Sequence, residues 1–408
     1  MKVLFINKFF FPKGGAETSF FATARLLEEK GHRIAFFSMA HPANQESPYS
    51  QYFVSRVDFE NPDSFPEKMK IPGRILYSFE AKRKLSRLLK QDKPDVAHLH
   101  NIHHQISPSI LHTLRKWNIP TVMTLHDYKM VCPVYTLFRQ GKICEQCRKG
   151  KYYHCFLHRC SKDSYPKSLL NTMEMYLHHR LLHLYRLVDV LISPSRFLKE
   201  KIREMGMGGK VAYLPHFINV QDFLPSYRWS ENSIVYFGRL SAEKGLFTLL
   251  KAVKGLGVIC KIVGDGPLRS ALENKARHEG LANVSFLGYR SQEQLKPEIQ
   301  KSLLVVLPSE WYENNSRSLM ESYALGKPVI GSRIGGIPEF IEDDKTGLLF
   351  EPGNPKDLRE KIVHLTSRFE KIKKMGENGR KAAEENFNPE SYYHQLMILY
   401  KRAMERHG

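Results

Sequence analysis

Short apolar runs alternate with amphipathic stretches along most of the chain, and this alternation predicts strands that are each followed by a helix. The predicted strands of the first half are Val3–Phe10, Arg33–Met39, Val96–His100, Thr121–Leu125, Val188–Ser193 and Val211–Tyr213. Predicted helices cover Ala16–Lys30 and Ile110–Trp117. Strands that alternate with helices are typical of a parallel, doubly wound sheet.

The same pattern begins again after a polar, proline-containing stretch near residues 214–225, which we interpret as a linker. The predicted strands of the second half are Ile234–Phe237, Ile259–Val263, Val284–Leu287, Leu303–Leu307 and Pro328–Gly331. Residues 389–406 have apolar side chains at helical spacing and predict a final helix. We therefore expect two Rossmann-like α/β domains, residues 1–214 and 226–388, that face a cleft between them.

Composition is that of an ordinary globular protein, since 42% of the 408 residues are hydrophobic and 25% are charged. That length allows two or three domains with full cores. No apolar run approaches the length of a membrane-spanning helix, so no membrane span is predicted. Residues 1–7 lack the cleavage region of a signal peptide and predict a first strand, so a cytoplasmic location is expected.

The charge balance indicates which classes of partner the protein could bind. Lysine and arginine outnumber aspartate and glutamate by 62 to 42, which gives a net charge of +20. Such a basic chain is expected to meet acidic partners. Nucleic acid, an anionic membrane surface and phosphorylated small molecules all remain open on charge alone.

Glu313 and Glu321 are the most informative pair of residues in the chain. Glu313 lies on the loop after the fourth predicted strand of the second half, and Glu321 lies in the helix that follows. Asn314, Asn315 and Ser316 favour the start of that helix. Ligands of open α/β sheets bind at this edge of the strands, where a helix N-terminus offers N–H groups to an anion. The arrangement suits a ligand that is part phosphate and part sugar.

A cationic loop follows the first strand of the same predicted sheet. Arg239 and Lys244 stand at its carboxyl end and could hold a diphosphate, arginine as a fork and lysine as a point charge. The alternative is a solvated turn with surface charges, but the carboxylate pair nearby favours the functional interpretation. The chain contains no Asp-x-Asp, a pair that often holds a nucleotide diphosphate through a divalent metal. We therefore expect the two cations to replace a metal, and the chemistry to require no cofactor.

The first half offers weaker candidates at its own strand ends. Gly14 and Gly15 open the first helix, where the backbone could approach a phosphate closely, although a simple tight turn is the alternative. His126 ends the strand Thr121–Leu125, and we interpret it as a substrate contact rather than a structural residue.

Four further residues of the first half are candidate acceptor contacts. The histidines among them crowd a strand end next to His98, and they could equally be packing residues. The candidates are Glu17, His100, His103 and His104.

Five of the six cysteines fall in a segment of about residues 132–162 that we interpret as an insertion. Two of them have the spacing of half a zinc site and two others could complete four thiolates, while a remaining cysteine and two histidines are rival ligands. Structural zinc and reduced thiols are both open alternatives, and a catalytic role is not expected. The candidate ligands are Cys132, Cys144, Cys147, Cys155 and Cys160, with His154 and His158 as rivals.

The same insertion interleaves basic side chains with aromatic ones. Tyr152, Tyr153 and Phe156 lie among the basic residues Lys142, Arg148, Lys149, Lys151, Arg159 and Lys162. Basic and aromatic residues together suit an anionic bilayer surface or nucleic acid. A solvated, charged face is the third alternative.

Taken together these residues resemble the retaining GT-B glycosyltransferases of family 4, and the likeness covers nearly the whole chain. The motifs stand in the family's order, and their combination is highly specific. They are Gly14–Glu17, Gly238–Leu240 with Glu243–Gly245, Val263–Pro267, the pair Glu313 and Glu321, Gly335–Glu339 and Glu342–Pro352. The cysteine-rich insertion lies outside the general pattern and resembles one bacterial branch.

The resemblance implies roles in the second domain, which would hold the donor. Arg239 and Lys244 would neutralise the leaving diphosphate. Glu321 would bind the ribose hydroxyls, and Glu313 would contact the donor sugar. N–H groups near Asn315–Ser316 would support the sugar or the phosphates, and Asn314 beside them is a further candidate donor contact.

The resemblance also implies roles for the first domain, which would hold the acceptor. Gly14 and Gly15 would abut the diphosphate across the cleft, and His126 would touch the sugar's hydroxyl at carbon 6. The final helix, residues 389–406, would cross back to this domain.

The implied activity is transfer of a sugar from a nucleotide-diphosphate donor with retention of the anomeric configuration. A lipid-linked or polysaccharide acceptor at the cytosolic membrane face is expected, with peripheral association at that face. One alternative is a nucleotide-sugar epimerase or hydrolase on the same fold. Another, from a different class, is a nucleic-acid-binding protein, although no recognised nucleic-acid motif is present.

Overall fold

The structure is a computed structural model that describes residues 1–59, 65–207 and 209–407, with the backbone alone over residues 65–69. Its N-terminal half is built on a six-stranded parallel sheet in the order β2-β1-β3-β4-β7-β8. A two-stranded antiparallel hairpin, β5 and β6, interrupts the chain between β4 and β7. The strands are β1 (Lys2–Ile6), β2 (Arg33–Phe37), β3 (Val96–Leu99), β4 (Thr121–Thr124), β5 (Phe138–Arg139), β6 (Lys142–Ile143), β7 (Val190–Ser193) and β8 (Val211–Tyr213).

The C-terminal half contains a second six-stranded parallel sheet, in the order β11-β10-β9-β12-β13-β14. Its strands are β9 (Ser233–Phe237), β10 (Ile259–Val263), β11 (Val284–Gly288), β12 (Leu304–Leu307), β13 (Val329–Ser332) and β14 (Gly347–Phe350). The central strands are buried along their whole length, as expected for parallel strands covered on both faces by helices. The predicted fold, two doubly wound α/β domains, is confirmed.

Helices cover both faces of each sheet. Those of the first half are α1 (Gly15–Glu29), α2 (Phe65–Leu76), α3 (Phe79–Gln91), α4 (Ile110–Lys116), α5 (Tyr153–Leu157), α6 (Tyr165–Tyr176) and α7 (Arg196–Glu204). Those of the second half are α8 (Leu246–Val253), α9 (Arg269–His278), α10 (Gln292–Lys301), α11 (Arg317–Ala324), α12 (Ile337–Phe340), α13 (Pro355–Thr366), α14 (Phe369–Asn386) and α15 (Pro389–His407). Within the described ranges, no helix combines the length and hydropathy that crossing a bilayer requires.

The last helix, α15, packs on the sheet of the first half although it follows the second half in sequence. Tyr392 and Leu396 of α15 are buried in the same hydrophobic cluster as Phe5 of β1. The Tyr400 hydroxyl hydrogen-bonds His98 Nδ1 over 2.7 Å. The chain therefore ends by connecting the two domains a second time.

Two strands of the six-stranded sheets differ clearly from the prediction. The first strand ends at Ile6 rather than at Phe10, because the buried Asn7 side chain satisfies backbone groups of a turn: its Nδ2 donates to Phe9 O and its Oδ1 accepts from Asn101 N. The edge strand β14 was not predicted. It contains only four residues and begins at Gly347, so its apolar run is too short to distinguish from a loop.

Candidate active site between the two domains

An ion pair joins two loops at the carboxyl edge of the C-terminal sheet. Lys244, from the loop after β9, contacts Oε1 of Glu313, from the loop after β12. Ser309 Oγ donates to the same carboxylate oxygen over 2.8 Å, and the lysine Nζ lies 5.3 Å from the centre of the Trp311 ring. The structure thus brings together the predicted cation and the predicted carboxylate.

Burial alone would raise the pKa of Glu313, but the charge of Lys244 and the hydrogen bonds from Lys244 and Ser309 hold that pKa below its usual range. Glu313 is therefore an anion at neutral pH. Lys244 remains 22% exposed along its side chain, so its remaining N–H bonds can reach a ligand.

The meeting of these two loops requires the glycine of the cationic motif. Gly245 has φ +66°, and a Cβ there would lie 1.8 Å from the carbonyl oxygen of Pro308. Only glycine fits so close an approach at that backbone angle. The backbone N–H of Glu310 also donates to Glu243 O over 2.9 Å, which fixes the spacing between the loops.

Arg239 lies on the same loop as Lys244 but is exposed. In the described part of the chain its guanidinium has no ion-pair partner, while its carbonyl oxygen accepts the Tyr236 hydroxyl over 2.8 Å. The insertion approaches it: burial raises the pKa of the Tyr135 phenol, and the nearby charge of Arg239 opposes that shift. One cation of the loop is held by a carboxylate and the other is available to a ligand.

The N-terminus of α11 lies directly beside this cluster. Ser316 is its N-cap and accepts from Leu319 N, and the Ser318 hydroxyl donates to Phe237 O at the end of β9 over 3.2 Å. The first N–H groups of a helix lack intrahelical acceptors. This helix start can therefore receive an anion at the sheet edge, and its predicted position is confirmed.

Glu321, one turn into α11, is 8% exposed. It accepts from Arg317 Nε over 2.9 Å and from Gln292 Nε2 over 3.1 Å. Burial raises its pKa in spite of these partners. A pair of ligand hydroxyl groups, such as those of a ribose, would give this buried carboxylate further hydrogen-bond donors, which favour its charged form.

The asparagines before α11 bind the first domain instead of projecting into the cleft. Asn314 donates from Nδ2 to Leu125 O over 3.1 Å and accepts from Ser195 Oγ over 2.7 Å. Asn315 Nδ2 donates to Pro194 O over 3.3 Å. Their side chains therefore hold the two domains together at the ends of β4 and β7. Donor contacts through the backbone N–H groups of this segment stay a prediction.

The opposite wall of the cleft begins with the glycine turn. Gly14 is the extended N-cap residue of α1, and Gly15 is the first residue of the helix. Glu17, in the first turn, is 5% exposed and accepts from Asn7 Nδ2 over 3.4 Å. Burial raises the pKa of Glu17. This wall offers a helix N-terminus and a carboxyl group that holds its proton unusually well.

His126 lies in a stack of three imidazoles on this wall. Its Nε2 hydrogen-bonds His100 Nδ1 over 2.8 Å, and its ring lies 5.1 Å from His100 and 5.3 Å from His216. Burial and the charge of Lys8 lower the pKa of His126 to about 4. The ring is therefore neutral at physiological pH and can hydrogen-bond a hydroxyl group without adding charge.

The neighbouring histidines have partners inside the first domain. His98 bonds Tyr400 and Thr124, so both ring nitrogens are occupied. His103 Nδ1 bonds the Tyr185 hydroxyl over 2.9 Å. His104 Nε2 contacts Glu174 over 3.0 Å. Packing, the alternative interpretation, accounts for these contacts, and acceptor roles for His103 and His104 stay a prediction.

The five clustered cysteines lie close to one another in the insertion, and all are free thiols. A hydrogen bond from Cys155 lowers the pKa of Cys160 to about 7. In the part of the chain that the structure describes, no group of three or more His, Cys, Asp or Glu side chains is arranged to hold a metal ion. Structural zinc therefore stays a prediction from sequence spacing.

Several residues of the site were not predicted from the sequence. Arg317 could have been found, because it lies four residues before Glu321 on one helix face. Ser309 lies only four residues before Glu313 on the same loop, whereas Gln292 and His216 carried no local signal, since each reaches its partner only through the tertiary fold.

Comparison with known proteins agrees with this geometry. Residues 13–222 match the model of Glycosyltransferase Family 4, and residues 226–382 match that of Glycosyl transferases group 1. An uncharacterized glycosyltransferase of Methanocaldococcus jannaschii is 24% identical, with 85% of this chain and 84% of that protein covered.

Solved structures resemble the whole chain. Sucrose-phosphate synthase from Thermosynechococcus elongatus has a TM-score of 0.75 and 19% identity, with 99% of each chain covered. Anabaena HepE, solved in complex with UDP-glucose, has a TM-score of 0.68 and 18% identity, with 98% of this chain and 99% of HepE covered. These likenesses show the GT-B fold, and together with the family matches they establish that the chain belongs to the family 4 glycosyltransferases.

Proposed function

We propose that this glycosyltransferase moves a sugar from a nucleotide-diphosphate donor to an acceptor and retains the anomeric configuration. The observation that carries the proposal is the convergence of Lys244, Glu313 and the start of α11 at one sheet edge, with Arg239 exposed on the same loop. Cations and helix N–H groups suit the diphosphate. The two glutamates suit hydroxyl groups of the sugar and the ribose.

The physical logic follows from the charge that develops during the reaction. Breaking a glycosyl–phosphate bond leaves positive charge on the sugar and negative charge on the diphosphate. Fixed cations stabilise the departing diphosphate most strongly as its charge grows. Contacts such as those of Asn314 hold the two domains together, and closing the domains over the donor would exclude water, which would otherwise compete as an acceptor.

Retention is proposed to proceed from the face of the leaving group, with the diphosphate itself as base. A double displacement would instead need a carboxylate free to attack the sugar. Glu313 is the available candidate, but Lys244 and Ser309 already occupy its Oε1. A glycosyl adduct on Glu313, trapped and detected by mass spectrometry, would contradict this proposal.

The chemistry at the diphosphate is proposed to require no divalent metal. The support lies in the residues present: two cations of the loop 238–245 replace the charge that a metal would supply, and the chain has no Asp-x-Asp. Chelators should therefore leave turnover unchanged. Loss of activity with EDTA and recovery with Mg²⁺ would overturn this part.

The acceptor is proposed to be a lipid-linked or polysaccharide intermediate at the cytosolic membrane face. The net charge of +20 and the basic, aromatic insertion support it, because both suit an anionic surface. The nucleic-acid alternative explains only the charge, and nothing in the family assignment favours it.

A thermal-shift screen with uridine, guanosine and adenosine diphosphate sugars tests the donor class. One nucleotide series should raise the melting temperature by several degrees, as ligand linkage requires. Donor turnover in the absence of any acceptor would favour the epimerase or hydrolase alternative. If none of the three series shifts the transition, the proposed donor site is wrong.

A further inference from the structure

Helix α6 exposes apolar side chains and buries polar ones, the reverse of an ordinary surface helix. Its exposed residues follow a four-residue spacing: Tyr165, Leu169 and Met173 are 52%, 44% and 49% exposed. Its buried face is mostly polar and consists of Ser168, Asn171, Thr172, Glu174 and Met175. Burying hydrophilic groups while leaving an apolar stripe in water indicates that the stripe meets something other than water.

Helix α5 extends this surface. It packs against α6 through the Phe156 and Tyr165 rings, whose centres are 5.4 Å apart. Tyr153 and Leu157 of α5 are 45% and 56% exposed. The exposed side chains of the two helices form what we call the apolar patch: Tyr153, Leu157, Tyr165, Leu169 and Met173.

The surroundings of the apolar patch are strongly basic. Between residues 139 and 180 there are nine lysines or arginines and three aspartates or glutamates. One of those acids, Glu174, is fully buried and paired with Lys129. Arg159 covers the Tyr165 ring at 5.4 Å, so cationic and apolar groups are interleaved on one surface.

A cavity of about 730 Å³ is lined by residues that directly precede α5, among them Lys149 and Tyr152, and by residues that follow α6, among them Arg180. Four cations line it, Lys149, Arg180, Arg186 and Lys210, together with apolar and aromatic walls that include Tyr152. No carboxylate lines it, and over the described residues none of these four cations has an ion-pair partner. Uncompensated cations in an aromatic recess suit an anionic group such as a phosphate.

We propose that the apolar patch and this cavity form a docking surface for an anionic lipid bilayer. The patch enters the interfacial layer while the cavity's cations bind lipid phosphate headgroups. A second copy of this chain is disfavoured, because two such surfaces would bring like charges together. The inference rests on the proposed membrane-face acceptor for its purpose, but vesicle binding is measurable without any catalytic activity.

The first test is flotation of the full chain with phosphatidylcholine vesicles, with and without phosphatidylglycerol, at low salt. The double variant Leu169→Ser with Met173→Ser should bind anionic vesicles at least about tenfold more weakly, since it removes two apolar anchors. The matched control is Val363→Ser with Ile398→Ser, two side chains that are also exposed (46% and 65%) but lie outside the patch. The control should bind like the unmodified protein.

The second test reverses charge at the cavity. Lys149→Glu with Arg186→Glu should weaken binding to anionic vesicles roughly tenfold or more and leave the weak binding to neutral vesicles unchanged. Lys373→Glu with Lys374→Glu, on the exposed side of α14, changes the net charge equally and should have little effect. Glycerol 3-phosphate in solution should not displace the vesicles, because it lacks the bilayer.

Three outcomes would overturn the docking surface. They are absence of flotation of the unmodified protein, equal binding by the patch variant, and concentration-dependent dimerisation that the patch variant abolishes without any vesicle binding. The donor screen separates this inference from the proposed function. If a nucleotide sugar raises the melting temperature but the protein does not bind vesicles, the donor site stands and the docking surface is wrong. If the protein binds vesicles but no nucleotide sugar raises the melting temperature, the docking surface stands and the donor site is wrong.

Discussion

The two domains use the same ionisable residue types in opposite ways. In the C-terminal domain, Lys244 and Glu313 stand at the edge of the cleft, and the lysine side chain is 22% exposed. In the N-terminal domain, Lys129 and Glu174 form an ion pair whose side chains are 2% and 0% exposed. The comparison teaches that solvent access, rather than residue type, separates a pair that can exchange partners with a ligand from one that holds the interior together.

The buried pair has further partners that fix it in place. Lys129 Nζ lies 2.7 Å from Glu174 Oε2 and donates to Pro133 O over 2.9 Å. His104 Nε2 contacts the same carboxylate. Since both charges are out of water, breaking the pair leaves an uncompensated buried charge. Its counterpart at the cleft edge can lose one contact and gain a phosphate.

The largest effect on stability should come from Glu174→Ala, which leaves the buried charge of Lys129 without its carboxylate partner. We expect the free energy of unfolding to fall by about 3–5 kcal/mol, measured by urea denaturation. Glu273→Ala, which removes a partly exposed carboxylate paired with Arg269 on α9, is the control and should cost less than about 1 kcal/mol. Equal losses in the two variants would remove the distinction between buried and surface pairs.

The pH dependence of that loss has a definite sign. Burial alone would raise the pKa of Glu174, but the charges of His104 and Lys129 hold it well below its usual range. The stabilisation is therefore fully present above the ordinary carboxyl range and is lost only as the pH falls through the lowered pKa. The gap between unmodified protein and Glu174→Ala should persist across neutral pH and close only in strong acid.

The next largest effect should be on catalysis by Lys244→Ala. Removing one cation from the departing diphosphate should lower kcat about 100- to 1,000-fold. Lys254→Ala, at an exposed lysine after α8, is the matched control. If Lys244→Ala lost as much stability as Glu174→Ala but kept its turnover, the Lys244–Glu313 pair would be structural rather than catalytic, and the account would be wrong.

A smaller effect is expected at Glu321. Glu321→Ala should raise the Kd for the nucleoside diphosphate about tenfold or more, because a charged acceptor of hydroxyl groups is lost. Calorimetry with the nucleotide chosen by the thermal-shift screen measures it, and Glu293→Ala on the exposed side of α10 serves as control. Unchanged affinity would exclude Glu321 from the nucleotide site.

The smallest effect is expected on protein stability at Glu17, in the N-terminal domain. Burial raises the pKa of Glu17, so its ionisation opposes folding as the pH rises from the ordinary carboxyl range through the raised value. Glu17→Gln should therefore stabilise the protein modestly at neutral pH, and the gain should vanish in acid. Thermal unfolding at both pH values checks this. If Glu17 also contacts the acceptor, the same variant should raise the KM for acceptor.

The fold and the C-terminal part of the site could be predicted from sequence because their signals are local. Lys244 and Glu313 each follow an apolar strand, and parallel strands bring such loops to one edge. Gly245 was visible as part of a motif, although its tight approach to Pro308 was not. The start of α11 was marked by residues that cap helices.

The N-terminal part of the site could not be predicted from the sequence in the same way. Whether a histidine lines a cleft or fills a core depends on partners that are distant in sequence, such as Tyr185 for His103 and Tyr400 for His98. Asn314 had the right position for a donor contact, yet its side chain binds across to Leu125 and Ser195. Contacts between domains leave no periodic signal in either segment.

The central claim is that one nucleotide diphosphate is held by both cations of the loop after β9 and by the start of α11. A crystal structure with the nucleoside diphosphate selected by the screen tests it most directly. We expect Lys244 Nζ and the Arg239 guanidinium within about 3.2 Å of phosphate oxygens, and the ribose hydroxyls on Glu321. A diphosphate bound elsewhere, with Arg239 and Lys244 in contact only with protein or solvent, would contradict the account.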